Sequence, residues 1–399
     1  VSEIVVLGAG FAGLWAALGA ARRRAELGIA DRDMPVTVVS AQPYHDIRVR
    51  NYEPDLSQCR IPLAKVLDPA GVGHVTADVV AIDPQSRTVA TSVGRRGYDR
   101  LVVALGSRVS RPDIPGLREF GFDVDTYDGA VRLQRHLAAL AGQPETPSAS
   151  TVVVVGAGLT GIETACELPT QLAALFPDAT PHVILLDRNP HVGSDMGSSA
   201  RPVIEAALAA NGVDSRLGVG VTAVNEGGVA LSTGETLATS TVVWCAGMRA
   251  NPLTADLGGD CDRLGRLRVD DYLRVVGVHD IFAAGDVAAA RMDDEHFSVM
   301  SCQHGRPMGR FAGYNVVSEL AGQPMLSLRI PWYVTVLDLG PAGAVYTEGW
   351  DRRVVATGAE AKSTKKTINC ERIYPPLNGD REAILAAAAP TVQQPPARA

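Results

Sequence analysis

Short apolar runs that stop at small residues alternate along this chain with stretches of helical period. Residues 4–7 form one such run and 36–39 another, with a helical pattern over 11–27 between them. The same order restarts at 151: an apolar run, a helical pattern, then a further strand at 182–186. Buried strands are also expected at 98–107 (YDRLVVALGS), 241–247 (TVVWCAG) and 280–287 (DIFAAGDV), each closing on small residues. Helical patterns cover 117–140, 201–210 and 301–320, and 142–150 (GQPETPSAS) has the composition of an exposed connection. From 329 onward the pattern turns β-rich, with strands expected at 332–337, 344–350 and 354–357. A short alanine helix and a polar, proline-containing tail follow over 383–399. This alternation predicts an α/β fold of two Rossmann-like units with a C-terminal α+β region.

Both units open on the same glycine pattern. VSEIVVLGAGFAG (1–13) places Gly8, Gly10 and Gly13 between strand and helix, and TVVVVGAGLTGIE (151–163) does so with Gly156, Gly158 and Gly161. Glycines at this G-x-G-x-x-G spacing permit a tight turn, close approach of backbone to a pyrophosphate, and close helix–strand packing. The helix N-terminus then offers free N–H groups and the positive end of its dipole to the phosphates. One such pattern is weak; two in strand–turn–helix context, about 150 residues apart, point to two dinucleotide sites and to electron transfer between two cofactors. The residue after the second strand of such a unit commonly carries the acid that holds a ribose. In the second unit it is Asp187, which accepts from a 2′-OH and repels a 2′-phosphate. The neighbouring Arg188 can accommodate a phosphate, so NADH is favoured over NADPH but not exclusively. In the first unit the equivalent residue is Ser40, a weaker partner for a ribose.

Composition narrows the class. The 399 residues are 46% hydrophobic and 20% charged with a net charge of −7, which supplies cores but no basic footprint for nucleic acid. No apolar run approaches the roughly 20 residues of a membrane span. The chain starts directly on a strand, so no signal peptide is expected, and a cytoplasmic protein is. Cys59, Cys166, Cys245, Cys261, Cys302 and Cys370 include no C-x-x-C pair, which offers neither a zinc site nor a vicinal redox disulfide.

The order GAGFAG, VVALGS with IPG, VVGAGLTGIE, VVWCAG and DIFAAGDVA resembles the two-dinucleotide-binding flavoproteins of the pyridine nucleotide–disulfide oxidoreductase superfamily. The resemblance covers roughly four-fifths of the chain. PYHDIRVRNYE (43–53), VVWCAGMRANPL (242–253) and SCQHGRPMGRFAGYN (301–315) bring it nearest to the type II NADH dehydrogenases. It implies FAD at the first fingerprint and NADH at the second. The implied domains are a discontinuous FAD-binding domain over 1–118 and 248–322, an NAD(P)H-binding domain over 119–247, and a C-terminal region over 323–399. Gly8, Gly10, Gly13, Ser40, Gly106, Gly285 and Asp286 would contact FAD. Gly156, Gly158, Gly161, Asp187 and Gly247 would contact NADH, with Glu163 near the nicotinamide. Gln303 stands where the family has an Ala-Gln motif facing flavin and quinone. Three departures stand out: Ser40 for the usual acid, Cys302 for the Ala of that motif, and no long amphipathic C-terminal helices.

Several of these residues also have plainer readings. Glu163 could be a solvated first-turn glutamate and Asp286 a helix cap. Cys302 is more often packing than chemistry. His304 could donate a proton to a reduced acceptor or be satisfied by a backbone carbonyl, and His45 is balanced in the same way. The cluster at 362–366 (KSTKK) is expected to be a solvated face, and Trp332, Tyr333 and Trp350 core or dimer packing. The resulting expectation is an FAD-dependent NADH:acceptor oxidoreductase, a possible homodimer, with quinone the first choice of acceptor. A small-molecule oxidase, a reductase of a redox-protein partner, and an NADH-responsive non-catalytic flavoprotein similar to apoptosis-inducing factor are the alternatives.

Overall fold

The computed structural model describes residues 2–143, 146–193, 196–392 and 394–395. Two five-stranded parallel sheets dominate it. The first has the spatial order Ile281–Ala283, Arg100–Val103, Ile4–Leu7, Val36–Ser40, Gly73–Thr76. The second runs Gly121–Phe122, Thr241–Trp244, Thr151–Val155, His182–Asp187, Val213–Leu217. In each, the strand leading into the glycine turn is central and buried along its whole length. Burial on both faces accounts for its unbroken run of β-branched residues. The duplication extends further than the fingerprints suggest. Each unit carries a three-stranded antiparallel meander just before the strand that returns beside the glycine-turn strand: Val79–Asp83, Thr88–Thr91, Gly94–Gly97 in the first, and Val221–Asn225, Gly228–Leu231, Thr236–Ala238 in the second.

Local differences from the sequence expectation have identifiable causes. The helical pattern over 117–140 is divided into Leu117–Phe120, the strand Gly121–Phe122 and Tyr127–Ala141, whose start is capped by Thr126 accepting from the Gly129 N–H at 3.0 Å. The run over 98–107 supplies Arg100–Val103 and, after a turn at Gly106, a separate strand Ser107–Val109. The C-terminal strands are Val334–Asp338, Ala344–Glu348 and Arg353–Thr357, and they are followed by a helix, Gly358–Thr367, over residues to which the sequence pattern assigned no element.

The first domain is closed by a helix pair. Phe11–Glu26 packs against Cys302–Leu320, and three glycines four residues apart, Gly305, Gly309 and Gly313, lie at the contact. A Cβ on Gly309 would stand 2.3 Å from the Ala12 carbonyl oxygen, and one on Gly313 would stand 2.1 Å from that of Ala16. Gly305 is the looser member, with its nearest neighbour, Phe11 Cβ, 3.7 Å from such a Cβ. Ordinarily Gly→Ala inside a helix gains about 0.5–1 kcal/mol. Here the added methyl would have to push two backbones apart, and overpacking of this kind costs about 1–3 kcal/mol. Gly309→Ala is therefore expected to be destabilising by roughly 1–2 kcal/mol in denaturant unfolding, with Gly142→Ala as control. Gly142 has φ −84° and nothing nearer than 3.6 Å to an added Cβ, so that variant should stay near wild type. Equal stability of the two variants would show that the helices are free to move apart.

Candidate active site

The first glycine turn is dictated by sterics. Gly8 has φ +98°, and a Cβ there would meet the Ala104 carbonyl oxygen at 2.4 Å. Gly10, in contrast, faces open space with nothing within 4 Å of an added Cβ. It caps the following helix without a side-chain hydrogen bond, and the first turn holds no acid. The helix N–H groups are thus free for an anion. Ser40 is already engaged: its hydroxyl donates to the Gln42 carbonyl at 2.7 Å and lies 2.9 Å from His74 Nε2. His74, which sequence reasoning missed, belongs to the outermost strand, and only the strand pairing brings it to Ser40. Asp286 follows Gly285 (φ +76°) and accepts from Ser107 Oγ at 2.6 Å. Arg48 Nη1 lies 3.9 Å from the same carboxylate and donates to the Ser107 carbonyl at 3.1 Å, while its other nitrogen pairs with Asp125. Burial raises the Asp286 pKa, with Ser107 and Arg48 opposing the shift. Gly106 (φ +69°) leaves open space beside this group.

The second turn repeats the design. Gly156 has φ +108°, and a Cβ on Gly161 would stand 1.7 Å from the Gly156 carbonyl oxygen. Gly158 caps the Leu159–Leu175 helix without a side-chain bond, and again the first turn carries no acid. Asp187 lies at the end of its strand, accepting from Ala157 N at 2.6 Å and Asn189 N at 2.7 Å. The carboxylate thus sits on the glycine turn itself, while Arg188 is exposed. Gly247 (φ +77°) turns the chain out of the neighbouring strand.

Glu163 is not a solvated first-turn residue. It is 7% exposed, paired with Lys365, and accepts from the Asp338 N–H at 3.1 Å. Burial raises its pKa and Lys365 acts against that shift. Lys362 joins the same network through Asp338 at 2.5 Å and Glu167 at 3.5 Å, and Tyr52 donates to Asp338 at 3.2 Å. The KSTKK cluster therefore corrects the expectation of a solvated face: its helix turns two ammonium groups inward onto carboxylates 24 and 202 residues away.

Beside this network a cleft of about 610 Å³, open to solvent, runs along the Cys302–Leu320 helix. Cys302, Gln303 and Trp332 line it, and the Gln303 amide nitrogen is buried with no hydrogen-bond partner. Cys302 is a free thiol whose pKa burial pushes up, with Arg306 and Lys365 pulling it back. The six cysteines are all unpaired. Tyr333 and Trp350 are stacked at 4.8 Å, and Trp350 stacks on His296 at 4.3 Å.

A model of the pyridine nucleotide-disulphide oxidoreductase family matches residues 2–309. The chain belongs to that family. An NADH dehydrogenase-like protein of Mycobacterium tuberculosis is 69% identical over 99% of this chain and 100% of its own length. A type II NADH:quinone oxidoreductase of Staphylococcus saprophyticus is 26% identical over 93% of this chain and 95% of its own. In fold, the chain is similar to NDH2 of Plasmodium falciparum in its NADH complex, with a TM-score of 0.78 over 97% of each chain at 12% identity. Among the described residues of this oxidoreductase, no helix is long and apolar enough to cross a membrane.

Two histidines of this family member hold structural positions. His304 is fully buried and its Nδ1 accepts from the Val299 N–H at 2.8 Å. Burial holds its pKa down at about 4, so at neutral pH it has no acidic proton to give a reduced acceptor. Of its two readings, proton donor and satisfied core histidine, this geometry favours the second, with a backbone N–H in place of the carbonyl. His45 is likewise buried, neutral and hydrogen-bonded to the Ala9 carbonyl at 2.8 Å, with its pKa pushed to about 4. Unfolded imidazoles take up protons near 6.5, well above these values. As pH falls from 6.5 toward 4 the unfolded chain binds more protons, so stability present above 6.5 is lost across that window. Each histidine contributes a slope of up to about 1.4 kcal/mol per pH unit. In unfolding measurements between pH 6 and 5, His304→Gln should therefore show a shallower decline than wild type, by roughly 1 kcal/mol per unit. An unaltered slope would mean that His304 is protonated in the folded protein.

Proposed function

We propose that this oxidoreductase binds FAD at the Gly8–Gly10–Gly13 turn and NADH at the Gly156–Gly158–Gly161 turn, and passes electrons to a quinone in the cleft headed by Gln303. The observation that carries this reading is the placement of the cleft. The helix bearing Gln303 packs through Gly305 and Gly309 onto Phe11 and Ala12, which lie between the second and third glycines of that first turn. The residues present fit FAD: an uncapped helix start, open space over Gly10, and a half-buried Asp286 fixed by Ser107 and Arg48. FAD supplies the chemistry of taking a hydride from NADH and delivering two electrons onward.

The chain's own groups bind, orient and hold protons. The helix N-termini at Phe11 and Leu159 would hold the two pyrophosphates. Ser40 and His74 would hold the FAD ribose in place of the usual acid, and Asp286 would bind the ribityl region. Asp187 accepts from the 2′-OH of NADH and repels the phosphate of NADPH. Glu163 enters the nicotinamide side as one half of an ion pair with Lys365, a buried pair able to hold a proton close to the acceptor. The unpartnered Gln303 amide donates to one quinone carbonyl, where negative charge develops during reduction. The balance is NADH, a proton and quinone giving NAD⁺ and hydroquinone. With no C-x-x-C pair in the sequence, no dithiol relay enters this scheme.

Two variants separate the half-reactions. Asp187→Ala removes a charge-assisted hydrogen bond worth about 1.5–3 kcal/mol. It should weaken NADH in the reductive half-reaction by roughly ten- to a hundredfold and narrow the gap to NADPH. Gln303→Ala should act on the other half, slowing flavin reoxidation by quinone at least about tenfold with much less effect on reduction by NADH. Stopped-flow absorbance of the flavin reads both. Quinone reoxidation no faster than that by O2, and indifferent to Gln303→Ala, would remove quinone from the reading.

A further inference from the structure

The acceptor cleft is positively charged in a way that the apolar rings of a neutral quinone do not require. Arg306 and Arg310 lie one turn apart on the Cys302–Leu320 helix, line the cleft, and are only 9% and 5% exposed. Arg372 lines the cleft as well, donating to the Gln394 carbonyl at 2.7 Å. Among the described residues, no Asp or Glu lines the cleft. Nε of both Arg306 and Arg310 is buried without a hydrogen-bond partner. The titratable groups that act on Arg306 are Cys302 and Arg372, and the one that acts on Arg310 is Arg306, with no carboxylate among them.

Such a pair is costly to keep. Like charges at i and i+4 repel, and buried guanidinium groups lose hydration that a carboxylate usually replaces. Burial lowers Arg306 to about 10 and Arg310 to about 9, which still leaves both cationic at neutral pH. Trp15 offers its face at 5.2 and 4.2 Å, a favourable contact that carries no counter-charge. A ligand with a negative group would supply what the protein omits, and forked guanidinium donors suit a planar carboxylate or a sulfonate.

Resting on the reading of this cleft as the acceptor site, we propose that the acceptor is an anionic quinone, one whose ring bears a carboxylate or sulfonate. Its carbonyl meets Gln303 and its acid group meets Arg306 and Arg310. At 1.5 Å of rise per residue, Arg306 and Arg310 stand about 4.5 and 10 Å along the helix from Gln303, the span of a one- or two-ring quinone with an acidic substituent. The acid is a bystander to the electrons. NADH loses two, the quinone gains two and two protons, and the substituent keeps its charge.

The test uses the FAD-loaded enzyme and two pairs of probes. Calorimetry compares redox-inert 2-naphthoate with 2-naphthamide on the oxidised enzyme. Turnover with NADH compares 1,4-naphthoquinone-2-sulfonate with 2-methyl-1,4-naphthoquinone. The proposal expects naphthoate to bind at least about tenfold more tightly than the amide. It also expects Arg310→Gln and Arg306→Gln to erase most of that preference, and the sulfonate-to-methyl ratio of kcat/KM to fall about tenfold in either variant. FAD content and melting temperature show whether each variant is folded. If neither is, the wild-type comparison of naphthoate and amide decides alone, and equal affinities overturn the proposal. A preference that survives both substitutions overturns it too. Turnover of both quinones with naphthoate bound no better than the amide would sink this proposal and spare the quinone reading. Tight naphthoate binding with neither quinone reoxidising the flavin would sink the quinone reading and this proposal with it.

Discussion

The contact between Phe11–Glu26 and Cys302–Leu320 joins residues nearly 300 positions apart backbone to backbone. A single methyl at Gly309 or Gly313 would break that approach, so the distance between the helices is set by hard contact rather than by adaptable side chains. From it follows the rest of the acceptor side. The face of the second helix bearing Gly305, Gly309 and Gly313 is spent on the first glycine turn's helix. The adjoining face, with Gln303, Arg306 and Arg310, is left to the cleft. A helix placed even one side chain further out would separate Gln303 from the first glycine turn.

The same long-range closure governs the sheets. Ile281–Ala283 joins the first sheet only after the chain has built the whole second unit, and it brings Gly285 and Asp286 to Ser107. The Gly358–Thr367 helix then docks onto the second unit by seating Lys365 on Glu163 and Lys362 beside Glu167. These buried pairs are poor sources of net stability, because desolvation offsets much of the attraction. What they do is fix where the third part of the chain sits against the Leu159–Leu175 helix.

How much of this was legible in the sequence depends on whether a feature is local. The glycine turns were, since Gly8 and Gly156 adopt positive φ that other residues resist, and the strand before each turn is apolar throughout. Asp187 was legible from its place at the end of a strand. The partners of site residues were not: His74 beside Ser40, Arg48 beside Asp286, and Lys365 beside Glu163 come together only through tertiary packing, the last across 202 residues. The Gly358–Thr367 helix was hidden for a related reason. Its lysines read as a solvated stretch, whereas Lys362 and Lys365 turn inward onto acids that no local pattern could supply. The two meanders escaped because their strands are short and largely exposed. His304 looked reactive by position, yet its burial and its bond to Val299 make it part of the packing. Residues 144 and 145 of the expected 142–150 connection lie outside the described residues.

Under the proposed function, two glycine turns would hold two nucleotides, between which electrons pass to reach the cleft. The most direct test is an anaerobic titration of the purified, FAD-loaded protein, followed by absorbance. One equivalent of NADH should bleach the flavin band completely, and one equivalent of a naphthoquinone added afterwards should restore it. A protein that takes up no FAD, or a flavin that NADH leaves oxidised, would contradict the account.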